Sequence, residues 1–374
     1  MTLVVPTAAR VVAAVFGSLL VIFAGGSVIG TIIVPRLVGS PLTRWVDQLV
    51  NAVFYLIIRP IRSYKHRDRV LAAQGAAILL LQLIAWLTSF FLGFSLLLWP
   101  FLPTGITTAF TTAGAALWAI GPADVTGAGP RTLLDIAALT SLVTITLQIA
   151  YLPTLYSAFN RRETDVALLN ARAGVPSWGP ELLARTHYAL GSGNSTVDTL
   201  PDLYEQWERF AADQAESHTT YLPLVRFRSP RPLSSWVIAL LSVLDSAALY
   251  LSVSPEAAPT VAARLCLRSG FQCFADVASA MNLKVASPDP AAGITLTYKE
   301  FLEGIATMRK VEFPIERDAE QAWADFVGWR VNYEAAAYAV AYAIDAVPAL
   351  WSGPRRRAQE PIAPLRPAAG HPPK

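Results

Sequence analysis

Two long stretches without a single charge, 70–100 and 136–160, constrain this chain more than anything else in it. Each exceeds the roughly 20 residues that an α-helix needs to cross the hydrocarbon of a bilayer. Between them, 101–131 is rich in threonine and dotted with glycine. Non-helical backbone survives at membrane depth only where protein or water satisfies its N–H and C=O groups. Two spanning helices with a short re-entrant loop between them is therefore the economical reading, and a loop of that kind lines a path. The composition agrees, since 53% of the 374 residues are hydrophobic and only 15% charged, against about a quarter charged in ordinary soluble domains. A net charge of +3 is too small to argue for nucleic acid.

The first 160 residues are poor in charge and the remainder is not, which separates a membrane part from a domain outside the membrane. Residues 11–34 are apolar, bounded by Arg10 and Arg36, and predict an N-terminal spanning helix; the run is too long for a cleaved signal peptide. Within 42–66, Trp45, Leu49, Val53, Leu56 and Ile57 recur near helical spacing, while Arg44, Asp47, Asn51, Arg59 and Arg62 interrupt any spanning run. That pattern predicts an amphipathic helix lying in the interface. Seven lysines and arginines fall within 35–69, against none in 101–130, so the positive-inside rule puts this segment in the cytoplasm. The N-terminus then faces out. The chain returns through Arg161 and Arg162 to a cytoplasmic helical domain, 163–351, of a multi-pass plasma-membrane protein.

In that domain, 191–194 reads as a linker and not as a phosphate loop, because it lacks the lysine and the preceding strand. Residues 236–253 satisfy a hydropathy window, yet Asp245 sits near their centre, where insertion costs about 2.5–3.5 kcal/mol. A buried core helix is expected, with a fourth spanning helix as the alternative. Residues 257–283 give a second core helix. Thr297 and Glu300 form a capping box before a helix through Lys310. Trp323, Phe326, Arg330, Tyr333, Ala337, Val340, Ile344 and Val347 share one stripe, predicting a single long helix over 316–347. The tail 352–374, with Arg355, Arg356, Arg357 and six prolines, has too little apolar content to fold around and is expected to be disordered.

Little here points to an enzyme or to a metal. Cys266 and Cys273 are seven apart on one expected helix, about 10 Å along its axis, too far to bridge and read as buried hydrophobes. His66, His187, His218 and His371 have no ligand spacing, and His218 reads as a helix cap. Asp245 and Asp345 lie in apolar helices without a nucleophile, base and orienter beside them.

A spanning helix at 70–100, a short helix at 105–118, a glycine-containing segment at 119–125 and an inner helix at 131–159 succeed one another in that order. This resembles the pore module of the bacterial two-transmembrane potassium channel family, actinobacterial members in particular. That family's filter runs threonine, valine, glycine, tyrosine, glycine, aspartate; Ala119, Ile120, Gly121, Pro122, Ala123 and Asp124 stand in those places. Gly121 and Asp124 match identically and Ile120 conservatively, and Val125, Thr126 and Arg131 are similar to the residues just past the filter in bacterial members. The resemblance covers about 70–162.

It implies an all-α membrane protein. An extra N-terminal spanning helix and an interfacial helix precede a spanning hairpin with a re-entrant pore helix and filter-like loop, and a helical cytoplasmic domain comes after. It also implies a homotetramer whose filter carbonyls replace the water shell of a monovalent cation such as K+, with no cofactor. Ala119 lacks the threonine hydroxyl, Pro122 fixes φ and removes an N–H, and Ala123 resists the positive φ that a glycine allows. A filter altered in this way predicts relaxed selectivity; the alternative is a non-conducting scaffold that presents the cytoplasmic domain to another protein. Asp124 would place a ring of carboxylates at the outer mouth, or pair with Arg131. Pro153, two residues after Tyr151, leaves the carbonyl of Ile149 without its helical partner and marks a hinge or gate in the inner helix.

Overall fold

The computed structural model describes residues 7–34, 40–102, 105–118, 125–186, 196–289, 291 and 293–365, and among these the elements are helical, with no strand. The chain divides into two units: Met1–Pro60 with Ala73–Tyr156, and Ile61–Ala72 with Ser157–Lys374. Four stretches are helical, long and apolar enough to cross a membrane, Ala8–Ile32, Tyr64–Phe101, Ala128–Ala173 and Trp236–Val253. Helices of that kind fit an integral membrane protein.

The first unit contains α1 (Thr7–Ile32) and α2 (Pro41–Ile58); after α3 (Tyr64–Leu71), which belongs to the second unit, it resumes with α4 (Gln74–Leu98), α5 (Ile106–Trp118) and the first part of α6 (Ala128–Ala173). Helices α1 and α4 cross at a pair of glycines. A Cβ on Gly17 would stand 2.6 Å from the Gly93 carbonyl oxygen, and one on Gly93 would stand 2.6 Å from Val21 Cγ2. Small residues of this kind let two backbones approach where lipid offers no hydrophobic driving force between helices. Nearby, the buried indole of Trp86 donates to Ser27 Oγ at 2.8 Å. The hydroxyls of Ser89, Ser95, Thr140 and Thr144 donate to carbonyls four residues back on their own helices, which satisfies them without water. Outward, Val12, Leu19, Ile22, Leu80, Leu139, Leu142 and Ile149 are exposed.

Helix α2 begins at Ser40, whose side chain accepts from the Leu42 N–H, with Pro41 in the first turn. Val46 and Val50 pack with Ile78, while Trp45, Leu49, Val53 and Leu56 face outward. The amphipathic pattern is realised over a shorter span than 42–66, because 64–71 is a separate helix.

The second unit is built around α9 (Trp236–Val253), all of whose residues are buried. It is enclosed by α7 (Gly179–Thr186), α8 (Leu200–Thr220), α10 (Thr260–Ala280), α12 (Ala319–Arg330) and α13 (Glu334–Ala343), with α11 (Tyr298–Arg309) against α7 and α12. Close approaches explain two glycines. A Cβ on Gly179 would lie 2.9 Å from that of Asp245, and one on Gly270 would lie 2.5 Å from Leu244 Cδ1. The capping box of Thr297 and Glu300 is formed at the start of α11.

Three expectations are corrected here. The stripe over 316–347 is not one helix, since a turn separates α12 from α13. Asn332 Nδ2 donates to the carbonyls of Gly328 and Trp329 and so closes the end of α12. Helix α13 then stops at a left-handed residue, Asp345 (φ 48), with the Ala346 N–H returning to the Ala341 carbonyl. The tail differs as well: as far as Leu365 it is a strap bound to the second unit. Arg355, buried, donates to the carbonyls of Ala346, Val347, Ser352, Gly353 and Pro354, and the N–H groups of Ile362 and Leu365 donate to the carbonyls of Pro348 and Val175. A guanidinium spent on backbone carbonyls orders a segment that has little apolar content of its own. Thirdly, His218 is no cap but is wholly buried near the end of α8. The linker 191–194 lies outside the described residues.

Candidate pore hairpin and buried charge clusters

Helix α5 has 13 residues, about 20 Å of rise and too short to cross the ~30 Å hydrocarbon layer. Ala109, Ala113 and Leu117, at intervals of four, are buried in one core with Trp86, Phe90 and Phe94 of α4. Phe110 meets Phe91 edge-on at 5.5 Å, and Gly114 leaves room for the same Phe91 ring. The other face carries Thr107, Thr111 and Trp118, all exposed. After the filter-like segment, Gly127 turns at φ +110 and α6 starts, with the Arg131 N–H bonded to the Gly127 carbonyl. Leu134 and Ala137 of α6 belong to the same core as α5.

Ala119, Ile120, Gly121, Pro122, Ala123 and Asp124 lie outside the described residues, and so does any pairing of Asp124 with Arg131. Tyr151 and Pro153 are both inside α6, which continues through the proline for 46 residues in all. Tyr151 is buried and Pro153 exposed, so the two occupy different faces of the helix.

The second unit buries charge in three clusters. At the centre of α9, Asp245 accepts from Arg330 Nη2 at 3.3 Å and from the Tyr333 hydroxyl at 2.8 Å, while Arg330 Nη2 also donates to the Trp351 carbonyl at 2.6 Å. A second cluster ties α3 to the end of α13: Arg67 pairs with Asp345 at 3.0 Å and Arg228 with Asp68 at 2.6 Å. Arg228 also donates to the carbonyls of Ile344 and Asp345.

The third cluster surrounds Arg162, which is fully buried. It pairs with Glu163 at 2.8 Å and donates to the carbonyls of Leu224 and Phe227 at 2.9 and 2.7 Å. Its Nη1 also lies 3.0 Å from His218 Nε2. A guanidinium can only donate, so Nε2 is the acceptor and the imidazole proton sits on Nδ1. That proton faces Ser217 Oγ, whose own hydroxyl donates to the Asp213 carbonyl. Burial first, and then the Arg162 charge, hold the His218 pKa well below the usual 6.5.

These clusters pair buried charges, although Arg330 Nε and Nη1 make no hydrogen bond, and they do not set a nucleophile beside a base. Burial pushes the thiol pKa of Cys266 and Cys273 far up, which leaves both unreactive. Among the described residues no three His, Cys, Asp or Glu side chains come together as metal ligands. Sequence reasoning took Arg162 for a membrane-boundary charge and did not foresee its pairing with His218, because 56 residues separate them and no local pattern joins them. Compared with protein-family models, curated proteins and solved structures, the chain matches none.

Proposed function

We propose that this is a channel-like integral membrane protein whose hairpin, in four copies, encloses a path for monovalent cations along Ala119–Ala123, with the second unit as a cytoplasmic regulatory or assembly domain. The observation that carries this reading is the order α4, α5, filter-like segment, α6: a helix too short to span packs its small-residue face on one long apolar helix and leads, through Gly121, into another. The exposed threonine face of α5 and the exposed apolar face of α6 suit contact with further copies and lipid. The basic residues of 35–69 favour a cytoplasmic second unit and an outward N-terminus. Asp124 then supplies the outer ring, and Pro153 with Tyr151 the hinge of the inner helix.

A second reading has one specific observation in its favour, the Pro122 and Ala123 pair, which suits a hairpin that anchors and oligomerises without conducting. Flux of K+ and Na+ into liposomes holding the full-length protein separates the two. The proposal expects flux of both ions, reduced at low salt by Asp124→Asn; absence of flux from pure tetrameric protein leaves the scaffold.

A further inference from the structure

Within the second unit, residues 225–229, Ser234, Ser235, Trp236, Ile344 and Ala346 enclose a small cavity of about 20 Å³. Its lining includes buried side-chain donors that have no acceptor. The indole Nε1 of Trp236, a residue only 2% exposed, is buried without an acceptor, and so is the Ser229 hydroxyl. Carbonyls that could have served them already accept from arginines: Phe227 from Arg162, Ile344 from Arg228 and Ala346 from Arg355. Arg226 and Arg228 bring positive charge to the lining, Arg228 with Asp68 as its ion-pair partner, and the lining itself includes no acidic residue. The cavity also lies at the start of α9, an 18-residue helix whose N-cap, Ser235, makes no side-chain bond to the first-turn N–H groups, and the N-terminal end of a helix favours negative charge.

We infer that this cavity is a site for a monatomic anion of halide size, with chloride as the physiological ligand. It would be held by Trp236 Nε1 and Ser229 Oγ in the field of Arg226, Arg228 and the start of α9. An indole N–H can only donate, and a buried donor left unpaired is costly. A water molecule fits the volume, but it must aim two protons of its own at acceptors, and each of these carbonyls already gives one of its two lone pairs to an arginine. An anion needs donors alone.

Crystals of the full chain grown in bromide, measured at the bromine absorption edge, test this directly. An anomalous peak within hydrogen-bond distance of Trp236 Nε1 is expected; no peak there overturns the assignment. In solution, the Tm of the full chain should rise with chloride concentration relative to gluconate at equal ionic strength, as for a ligand that binds the folded state alone. Trp236→Phe and Ser229→Ala should each abolish that difference. If Trp236→Phe fails to fold, Ser229→Ala and the bromide map decide the matter. A bromide peak without chloride-dependent stability marks an adventitious ion only, and equally overturns the proposal.

Discussion

Helices α4 and α9 are close to equally apolar, yet 44% of the apolar window of α4 is buried inside the protein and all of that of α9. The two solve the problem of polar atoms differently. On α4 the hydroxyls of Ser89 and Ser95 fold back onto their own helix, and the outward surface is left to Leu80, Ile84 and Leu92. On α9 a full carboxylate, Asp245, is held by Arg330 and Tyr333 from the α12–α13 region. Hydropathy reports how apolar a helix is. Whether lipid or protein surrounds it is decided by where its polar groups find partners.

Breaking the ion pair on α9 should have the largest effect. Asp245→Ala leaves Arg330 buried without its carboxylate and should destabilise the second unit by about 3–5 kcal/mol in denaturant unfolding. Adding Arg330→Met should recover most of the loss. If Asp245→Ala were instead stabilising, α9 would lie in lipid and the contrast with α4 would collapse.

Arg355→Ala comes next. It strips donors from buried carbonyls at 346 and 347 and should cost about 2–3 kcal/mol, read as earlier proteolysis of the strap and a lower Tm. On the α4 side, Gly93→Leu forces a side chain into Val21 and should cost about 1–3 kcal/mol. Thermal unfolding in detergent should register it in the first unit and leave the transition of the second unit in place. An unchanged first transition would mean that α1 and α4 do not meet at this pair.

The smallest effect is a pH dependence. His218 is neutral in the folded state, with its pKa held below 6.5 by burial and by Arg162, whereas the unfolded chain takes up a proton near 6.5. The unfolded state therefore binds more protons below that pH. Stability is fully present above 6.5 and falls as the pH drops from there, by at most about 1.4 kcal/mol per unit. Arg162, Ser217, the Gln214 carbonyl and the Trp236 ring are the groups facing the imidazole, and none of them supplies a compensating negative charge at Nε2, where Arg162 already donates. His218→Gln keeps an acceptor and should flatten the slope between about pH 6.5 and 5.5; an unaltered slope assigns it to other groups.

Much of this was legible in the sequence because it is local. Uncharged runs marked the long apolar helices, Thr297 and Glu300 marked the start of α11, and Asp245, with Ser235, Ser242 and Ser246, argued that 236–253 is a core helix. Long-range pairing left no such trace. Nothing around Arg162 announces His218, and nothing in the proline-rich tail shows that Arg355 will occupy carbonyls at 346 and 347. The break between α12 and α13 escaped for a related reason. The apolar stripe carries through Val331–Tyr333, and the turn that ends α12 rests on Asn332 Nδ2 reaching the carbonyls of Gly328 and Trp329, which an apolar stripe does not show.

The division between a first unit with an exposed apolar surface and a protein-enclosed α9 can be tested at one stroke. Arg231 and Glu256 are exposed and flank α9. Cysteines placed there in turn, and treated with a membrane-impermeant thiol reagent in closed vesicles, should both react from the same side. Labelling from opposite sides would mean that α9 crosses the bilayer, and would contradict the account.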